Sequence, residues 1–142
     1  MSSMDDLVQF LRARLDEDEQ AARAAAEPEQ WVELNRTPQT SWSVEYWADP
    51  DRAAVVAEGS SAYPVVVTTQ GMEEADAEAR AAHIARHDPT RVLAEIDAKQ
   101  RLIEWVLRWP MRPAPPSSVD GVLELLALPY AGHPDHRDAW RP

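Results

Sequence analysis

The stretch HIARHDP, residues 83–89, marks the point where one predicted helix ends and the next begins. Aspartate is favoured at a helix N-cap and proline at the first helical position, so Asp88-Pro89 predicts a new helix in a new direction. His87 falls in the last turn of the preceding helix, where the helix dipole favours a partly charged imidazole by about 0.3–1 kcal/mol. We therefore expect two consecutive helices over 72–109, broken at Asp88-Pro89.

The segment upstream of these helices, 30–70, has the pattern of short strands. WVEL, SWSVEYWA, RAAVVAE and YPVVVTT are rich in β-branched or aromatic residues and are separated by turn signals of proline, aspartate and glycine. In the second of these runs Trp42 and Val44 alternate with Ser43 and Glu45, as in a strand with one buried face. Because the connections are short, we expect an antiparallel β-meander of three or four strands.

Both ends of the chain are predicted to contain helix. Leucine and valine recur at helical spacing near the N-terminus and an alanine run continues to Pro28, so a first helix is expected over 4–26. Residues 110–118 have the composition of a stiff, proline-rich linker, and 119–142 are expected to form a short helix and a tail. Together the pieces predict a single α+β domain over 1–142, with helices packed on a small antiparallel sheet.

The composition excludes several classes of protein. The chain has no cysteine, which rules out disulfides and thiolate metal sites. It has 14 basic and 25 acidic residues, a net charge of −11, and no basic stripe, so direct nucleic-acid binding is not expected. No apolar run approaches the roughly 18 residues of a membrane span, and the acidic start differs from a secretory signal. These features predict a cytoplasmic protein without a membrane segment.

The histidines provide a candidate metal site. His83 and His87 lie four residues apart on a predicted helix, point the same way, and could both bind one zinc or similar divalent ion. A third ligand is needed, and His133 in the tail is the candidate, with His136 as a further one. Ile84 stands where zinc proteases of the H-E-x-x-H type carry glutamate, so that chemistry is absent. The alternative that we favour needs no cofactor: His83 lines a helix–sheet seam, and His87 ends a helix.

Tryptophan is unusually frequent among the aromatic residues, with six against one phenylalanine. Trp42 and Trp105 fit the buried faces of their predicted elements. The other four lie at the ends of elements, where an indole can be half buried: Trp31, Trp47, Trp109 and Trp140. They form either edge packing around a small core or a surface for a protein partner, because tryptophan is enriched at interface hot spots.

Three blocks of the sequence carry a resemblance to a known family. They are MDDLVQFLRARLDEDEQAARAA at the start, AAHIARHDPTRVLAEIDAKQRLIEWV in the middle and LLALPYAGHPDHRDAWRP at the end. Together they resemble a family of small actinobacterial and actinophage proteins known as a domain of unknown function. The resemblance implies that Met4 is the equivalent of the usual start, and that the protein has a cytoplasmic accessory role linked to phage or mobile elements. It places His83, His87 and His133 within shared motifs, whereas His136 stands where a tyrosine is common.

Two functions from different classes follow. The one that we favour is a non-enzymatic interaction or accessory module that engages another protein, or itself, through exposed tryptophans. The alternative is a histidine-ligated metal-binding protein that could act as a hydrolase. The chain has no familiar phosphate loop and no G-x-S-x-G serine motif, so an enzyme is the less expected of the two.

Overall fold

The computed structural model describes residues 3–27, 40–46, 53–57, 65–68, 74–108 and 116–142. The contacts within the chain define two compact units where the sequence predicts one domain over 1–142. Unit 1 comprises Met1–Glu19 with Glu95–Pro142, and unit 2 comprises Gln20–Ala94. The first and third helices each contribute residues to both units.

The described residues form helices and an antiparallel sheet, which confirms the predicted α+β class. The helices are α1 (Ser3–Ala25), α2 (Glu74–Arg86), α3 (Pro89–Leu107) and α4 (Pro116–Ala127), followed by 3-10 turns at Leu128–Tyr130 and Asp138–Trp140. The strands are β1 (Trp42–Tyr46), β2 (Ala53–Ala57) and β3 (Val65–Thr68). The first three helices end within two residues of their predicted bounds. Within the described ranges, no helix is both long enough and apolar enough to cross a membrane.

The sheet belongs to unit 2. β1 pairs with β2 and β2 pairs with β3, both antiparallel, so the strand order follows the chain order. Val44 lies opposite Val55, and the register between β2 and β3 shifts between Val55 and Val56. The predicted strand segment at 31–34 lies outside the described residues.

Helix α2 packs on β1 and β2. Val55 of the middle strand and Ala81 of α2 are fully buried, and the side chains of Trp42, Val44 and Ile84 pack against them. The small Ala81 side chain lets the helix approach the sheet closely. Trp42 and Val44 are partly buried and lie two residues apart on one side of the strand, so the predicted side of β1 faces α2.

The turn between α2 and α3 is held by hydrogen bonds that centre on Asp88. Its Oδ1 accepts from the backbone N–H of Arg91 at 2.9 Å, which is the predicted N-cap bond of α3. Its Oδ2 accepts from the backbone N–H of Trp42 at 3.3 Å, at the start of β1. The N–H of Thr90 adds a second link, because it donates to the carbonyl of Thr40 at 3.0 Å. The HIARHDP motif thus ties the start of α3 to the first strand.

Unit 1 contains buried side chains from three helices. They occupy one face of each helix: Leu7, Leu11 and Leu15 of α1, Ile96, Ile103 and Val106 of α3, and Leu123 and Ala127 of α4. The three α3 residues recur at helical spacing, so they line one face of that helix. The predicted linker 110–118 is wrong in its last three residues, because α4 begins at Pro116. Proline is well suited to the first position of a helix, so a proline-rich stretch can end by starting one.

Candidate functional site

The C-terminal segment, residues 128–142, packs along one side of α1 in unit 1. Its rings surround Phe10, whose side chain is buried. The ring centroids of four residues lie 6.3, 5.8, 5.7 and 5.2 Å from that of Phe10, in the order Tyr130, His133, His136 and Trp140. Three of the four contacts are edge-on, an arrangement that aromatic rings prefer. These five rings, together with Arg14, are called the Phe10 cluster.

Arg14 lies one helical turn after Phe10 and is 8% exposed. Its guanidinium carbon lies 5.4 Å from the centroid of the Phe10 ring, and one of its nitrogens pairs with Glu17 at 2.8 Å. The guanidinium also donates a hydrogen bond to Nε2 of His133, which must accept because a guanidinium has no acceptor. A buried charge is costly unless it is paired, so Glu17 and His133 stabilise Arg14 in this position.

Two further contacts fasten the C-terminal segment to α1. The hydroxyl of Tyr130 donates to the carboxylate of Asp18 at 2.5 Å, and the guanidinium of Arg137 donates to Asp6 at 2.7 Å. Burial, reinforced by the Asp18 bond, raises the pKa of Tyr130 well above its usual value of 10.0. The α1 partners are spaced four residues apart and so form one stripe along the helix: Asp6, Phe10, Arg14 and Asp18.

Several nitrogen atoms of the Phe10 cluster are buried without a hydrogen-bond partner among the described residues. They are Nε of Arg14, Nε1 of Trp140 and both ring nitrogens of His136. The His136 ring meets Phe10 and Trp140 edge-on, with centroid distances of 5.7 and 5.8 Å. A buried polar group without a partner costs about 1–3 kcal/mol. Ring packing thus holds the His136 side chain, whereas His133 has both an edge-on contact with Phe10 and a bond to Arg14.

His83 and His87 lie together at the end of α2 in unit 2. Their ring centroids are 4.4 Å apart, both residues are exposed, and Nδ1 of His87 donates to the carbonyl of His83 at 2.8 Å. His83 does not line the helix–sheet seam as expected, because Ala81 occupies that position. His133 belongs to unit 1. In the part of the chain that the structure describes, no three histidine, aspartate or glutamate side chains are arranged to hold a metal ion.

The tryptophans are placed differently from the expectation. Trp31, Trp47 and Trp109, three of the predicted partner-surface residues, lie outside the described residues. Trp140, the fourth, is 4% exposed and belongs to the buried core of unit 1. Trp105 is 54% exposed, so the buried position expected for it is wrong. Helix α3 has apolar side chains on two sides, and the side with the isoleucines is the buried one.

The outer side of α3 carries an apolar stripe beside a row of charges. Leu102 and Trp105 are 36% and 54% exposed and lie one turn apart. The adjacent row alternates in sign, and its members recur every three or four residues: Asp97, Arg101, Glu104 and Arg108. Each base of the row binds the acid four residues before it, at 2.9 and 3.6 Å, and all four side chains are exposed. Leu102, Trp105 and this row are called the α3 outer face.

A protein-family profile matches nearly the whole chain. Residues 4–142 match the profile of DUF6221, a family of unknown function. The chain belongs to this family. The match confirms the resemblance to a domain of unknown function. No curated protein and no solved structure matches the chain.

The stretch that matches DUF6221 includes both the Phe10 cluster and the α3 outer face. Sequence reasoning missed two residues that matter in these places. Asp18 stands in an acidic run of a kind that is typical of a solvated helix face, but it binds Tyr130. Trp105 was expected in the core, but it is on the surface. The bond between Tyr130 and Asp18 joins residues 112 apart in the sequence, so no local pattern of this DUF6221 chain signals it.

Proposed function

We propose that this chain is a non-enzymatic protein-interaction module, and that its contact surface is the α3 outer face. The observation that carries the proposal is the 54% exposure of Trp105. Removing apolar surface from water is favourable by about 25 cal/mol per Å², and an indole offers a large apolar surface for a partner to cover. Leu102 extends this apolar centre, and the row of charges supplies a polar rim, as in other protein interfaces.

The buried side of α3 supports the proposal. Ile96, Ile103 and Val106 are 3%, 1% and 4% exposed, so the helix already has a complete inward face. Leu102 and Trp105 lie outside this inward face and are 36% and 54% exposed. A second protein surface that covers Trp105 and Leu102 accounts for them.

Two polar side chains of the Phe10 cluster, Arg14 and Tyr130, are bound to other residues of unit 1. Arg14 is bound by Glu17 and His133, and Tyr130 is bound to Asp18. These contacts join the C-terminal segment to α1, which is a structural role. The cluster therefore stabilises unit 1.

The setting of the module follows from the sequence. The family resemblance favours a cytoplasmic accessory role of phage or mobile-element origin. The absence of cysteine and the net charge of −11 fit a cytoplasmic protein whose partner is another protein and not nucleic acid.

Site-specific photo-crosslinking tests the proposal. A benzophenone amino acid replaces Trp105 in the full chain and, as a control in a second variant, Ala13, which is exposed on α1. We expect irradiation at position 105 to give a discrete adduct with one protein, identified by mass spectrometry, and we expect Leu102→Ala to abolish it. The same adducts from both positions, or none from position 105, would overturn the proposal.

A metal-binding function is the second candidate, and the pair His83 and His87 favours it. Rings at 4.4 Å on an exposed helix end offer two imidazoles to one divalent ion such as zinc, and the bond from Nδ1 of His87 leaves its Nε2 for the ion. Calorimetric titration of zinc into the full chain tests it. Binding near one equivalent that His83→Ala removes would support the site. Equal heats for the wild type and His83→Ala would exclude it.

A further inference from the structure

We infer that the occupant of the α3 outer face is a second copy of this chain, with the two α3 helices packed antiparallel. The inference rests on the proposed function, because it names the partner of the same surface. The row of charges carries it. All of its members lie in unit 1, and all have exposed side chains.

When the row is read in the reverse direction, each position has the opposite charge. From the N-terminal end the row is acid, base, acid, base; turned end over end, it is base, acid, base, acid. In an antiparallel pair related by a two-fold axis, each flank of one helix meets the same flank of the other. Asp97 then faces Arg108 of the second copy, and Arg101 faces Glu104 of the second copy. All four pairs across the axis, counting both copies, are of opposite charge.

The same axis brings the apolar side chains to the centre of the contact. The spacing of the row places the axis between positions 102 and 103, beside Leu102. Trp105 then lies at the level of position 100 of the second copy, next to Ala98 and Leu102 on its outer side. Ala98 is small and exposed, so it leaves room for the indole. Apolar contacts at the centre and ion pairs at the edge are the usual arrangement of a protein interface.

Other arrangements of two α3 helices would form fewer pairs of opposite charge with this row. A parallel pair would set it against the opposite flank of the helix, where Glu95 and Lys99 stand and Val106 is buried. That flank does not offer four charges of complementary sign. A different protein could bind the face, but its binding would not require the row to complement itself.

The size of the face sets the expected strength. Positions 97–108 span about 18 Å at 1.5 Å per residue. One helix face of that length is smaller than a standard interface of about 800 Å² per partner. We therefore expect a reversible dimer with a dissociation constant of about 10–100 µM.

Charge reversal with sedimentation equilibrium tests the inference on the full chain. D97R and R108D each place like charges opposite each other twice in a symmetric dimer, so each alone should dimerise about tenfold more weakly than the wild type. In an equimolar mixture of the two variants, both contacts again join opposite charges. The mixture should therefore recover most of the wild-type dimer fraction, and the double variant D97R/R108D should recover all of it.

The controls separate this inference from the proposed function. Both positions are exposed, so circular dichroism and thermal unfolding should be nearly unchanged in the variants. Trp105→Ala should be monomeric in every combination. A wild type that is monomeric up to about 1 mM, a concentration well above the expected dissociation constant, would overturn the inference. A mixture that dimerises no more strongly than D97R or R108D alone would also overturn it. If photo-crosslinking at position 105 then captures a different protein, the proposed function stands without self-association; if it captures none, both fail.

Discussion

The hydroxyl of Tyr130 donates a 2.5 Å hydrogen bond to Asp18, although 112 residues separate the two in the sequence. The bond is one of a series along α1, because His133 binds Arg14 and Arg137 binds Asp6. Later residues of the tail bind earlier positions of α1. The C-terminal segment therefore runs antiparallel to α1, and the stripe at four-residue spacing holds it in register.

Replacing Tyr130 by phenylalanine should lower the free energy of unfolding by about 1–2 kcal/mol at neutral pH, because the Asp18 carboxylate loses its donor. The pH dependence follows from the raised pKa of Tyr130, caused by burial and then by Asp18. Since the folded pKa lies above the unfolded value of 10.0, this contribution is fully present below pH 10 and falls as the pH rises further. Denaturant unfolding of the wild type and Tyr130→Phe from pH 7 to 11 measures both effects.

Ultraviolet titration of the phenols provides the control. The chain has three tyrosines, and one of them should ionise late in the wild type and be absent from the Tyr130→Phe titration. Three tyrosines that ionise together in the wild type would show that the bond to Asp18 does not form.

Replacement by phenylalanine should change the free energy of unfolding differently at the two histidines of the tail. His133→Phe removes the acceptor of the buried Arg14 guanidinium and should cost about 1–3 kcal/mol of unfolding free energy. His136→Phe keeps a ring of similar shape and removes two buried nitrogens that have no partner among the described residues, so it should be neutral or stabilising. Urea unfolding of both variants at one pH is the measurement. Equal losses would mean that both rings serve packing alone.

Two tryptophans form a second matched pair. Trp140→Ala should cost about 3–5 kcal/mol, because the ring is 4% exposed and packs on Phe10. Trp105→Ala should cost less than about 1 kcal/mol of stability, because more than half of the residue is in water. Thermal unfolding of the two variants compares them. A larger loss for Trp105→Ala would place that ring in the core and remove the basis of the proposed surface.

Replacing Asp88 by alanine should lower the free energy of unfolding, although the residue is partly exposed. Asp88→Ala removes the N-cap of α3 and the bond to the backbone of Trp42, so we expect a loss of about 1–2 kcal/mol. Asp88→Asn keeps an acceptor for the cap and should retain most of the stability. Hydrogen exchange of the Trp42 and Arg91 amides locates the effect. Unchanged protection of both amides in Asp88→Ala would refute the role of this turn.

The sequence predicted the elements well where local chemistry determines them. Proline after an N-cap aspartate defines the start of α3 at Pro89. The alternation of Trp42 and Val44 identifies the buried face of β1. Each of these signals is contained in one element, so it does not depend on what lies elsewhere in the fold.

The placements that failed depend on residues far away in the sequence. Helix α3 has apolar side chains on two sides, and only packing decides that Ile103 is buried while Trp105 is exposed. Asp18 stands in an acidic run that looks solvated until the tail brings Tyr130 to it. Trp140 lies near the end of the chain, and it is buried because its ring packs against Phe10.

The most direct test of the account is fluorine NMR of the full chain labelled with fluorotryptophan, since the central claim is that the α3 outer face is an association surface. Trp105→Phe and Trp140→Phe assign the two decisive resonances. We predict that the Trp105 resonance shifts as the concentration rises through the expected dissociation constant, and that the Trp140 resonance does not. A Trp105 resonance that stays unchanged up to about 1 mM, a concentration well above that constant, would contradict self-association at this face.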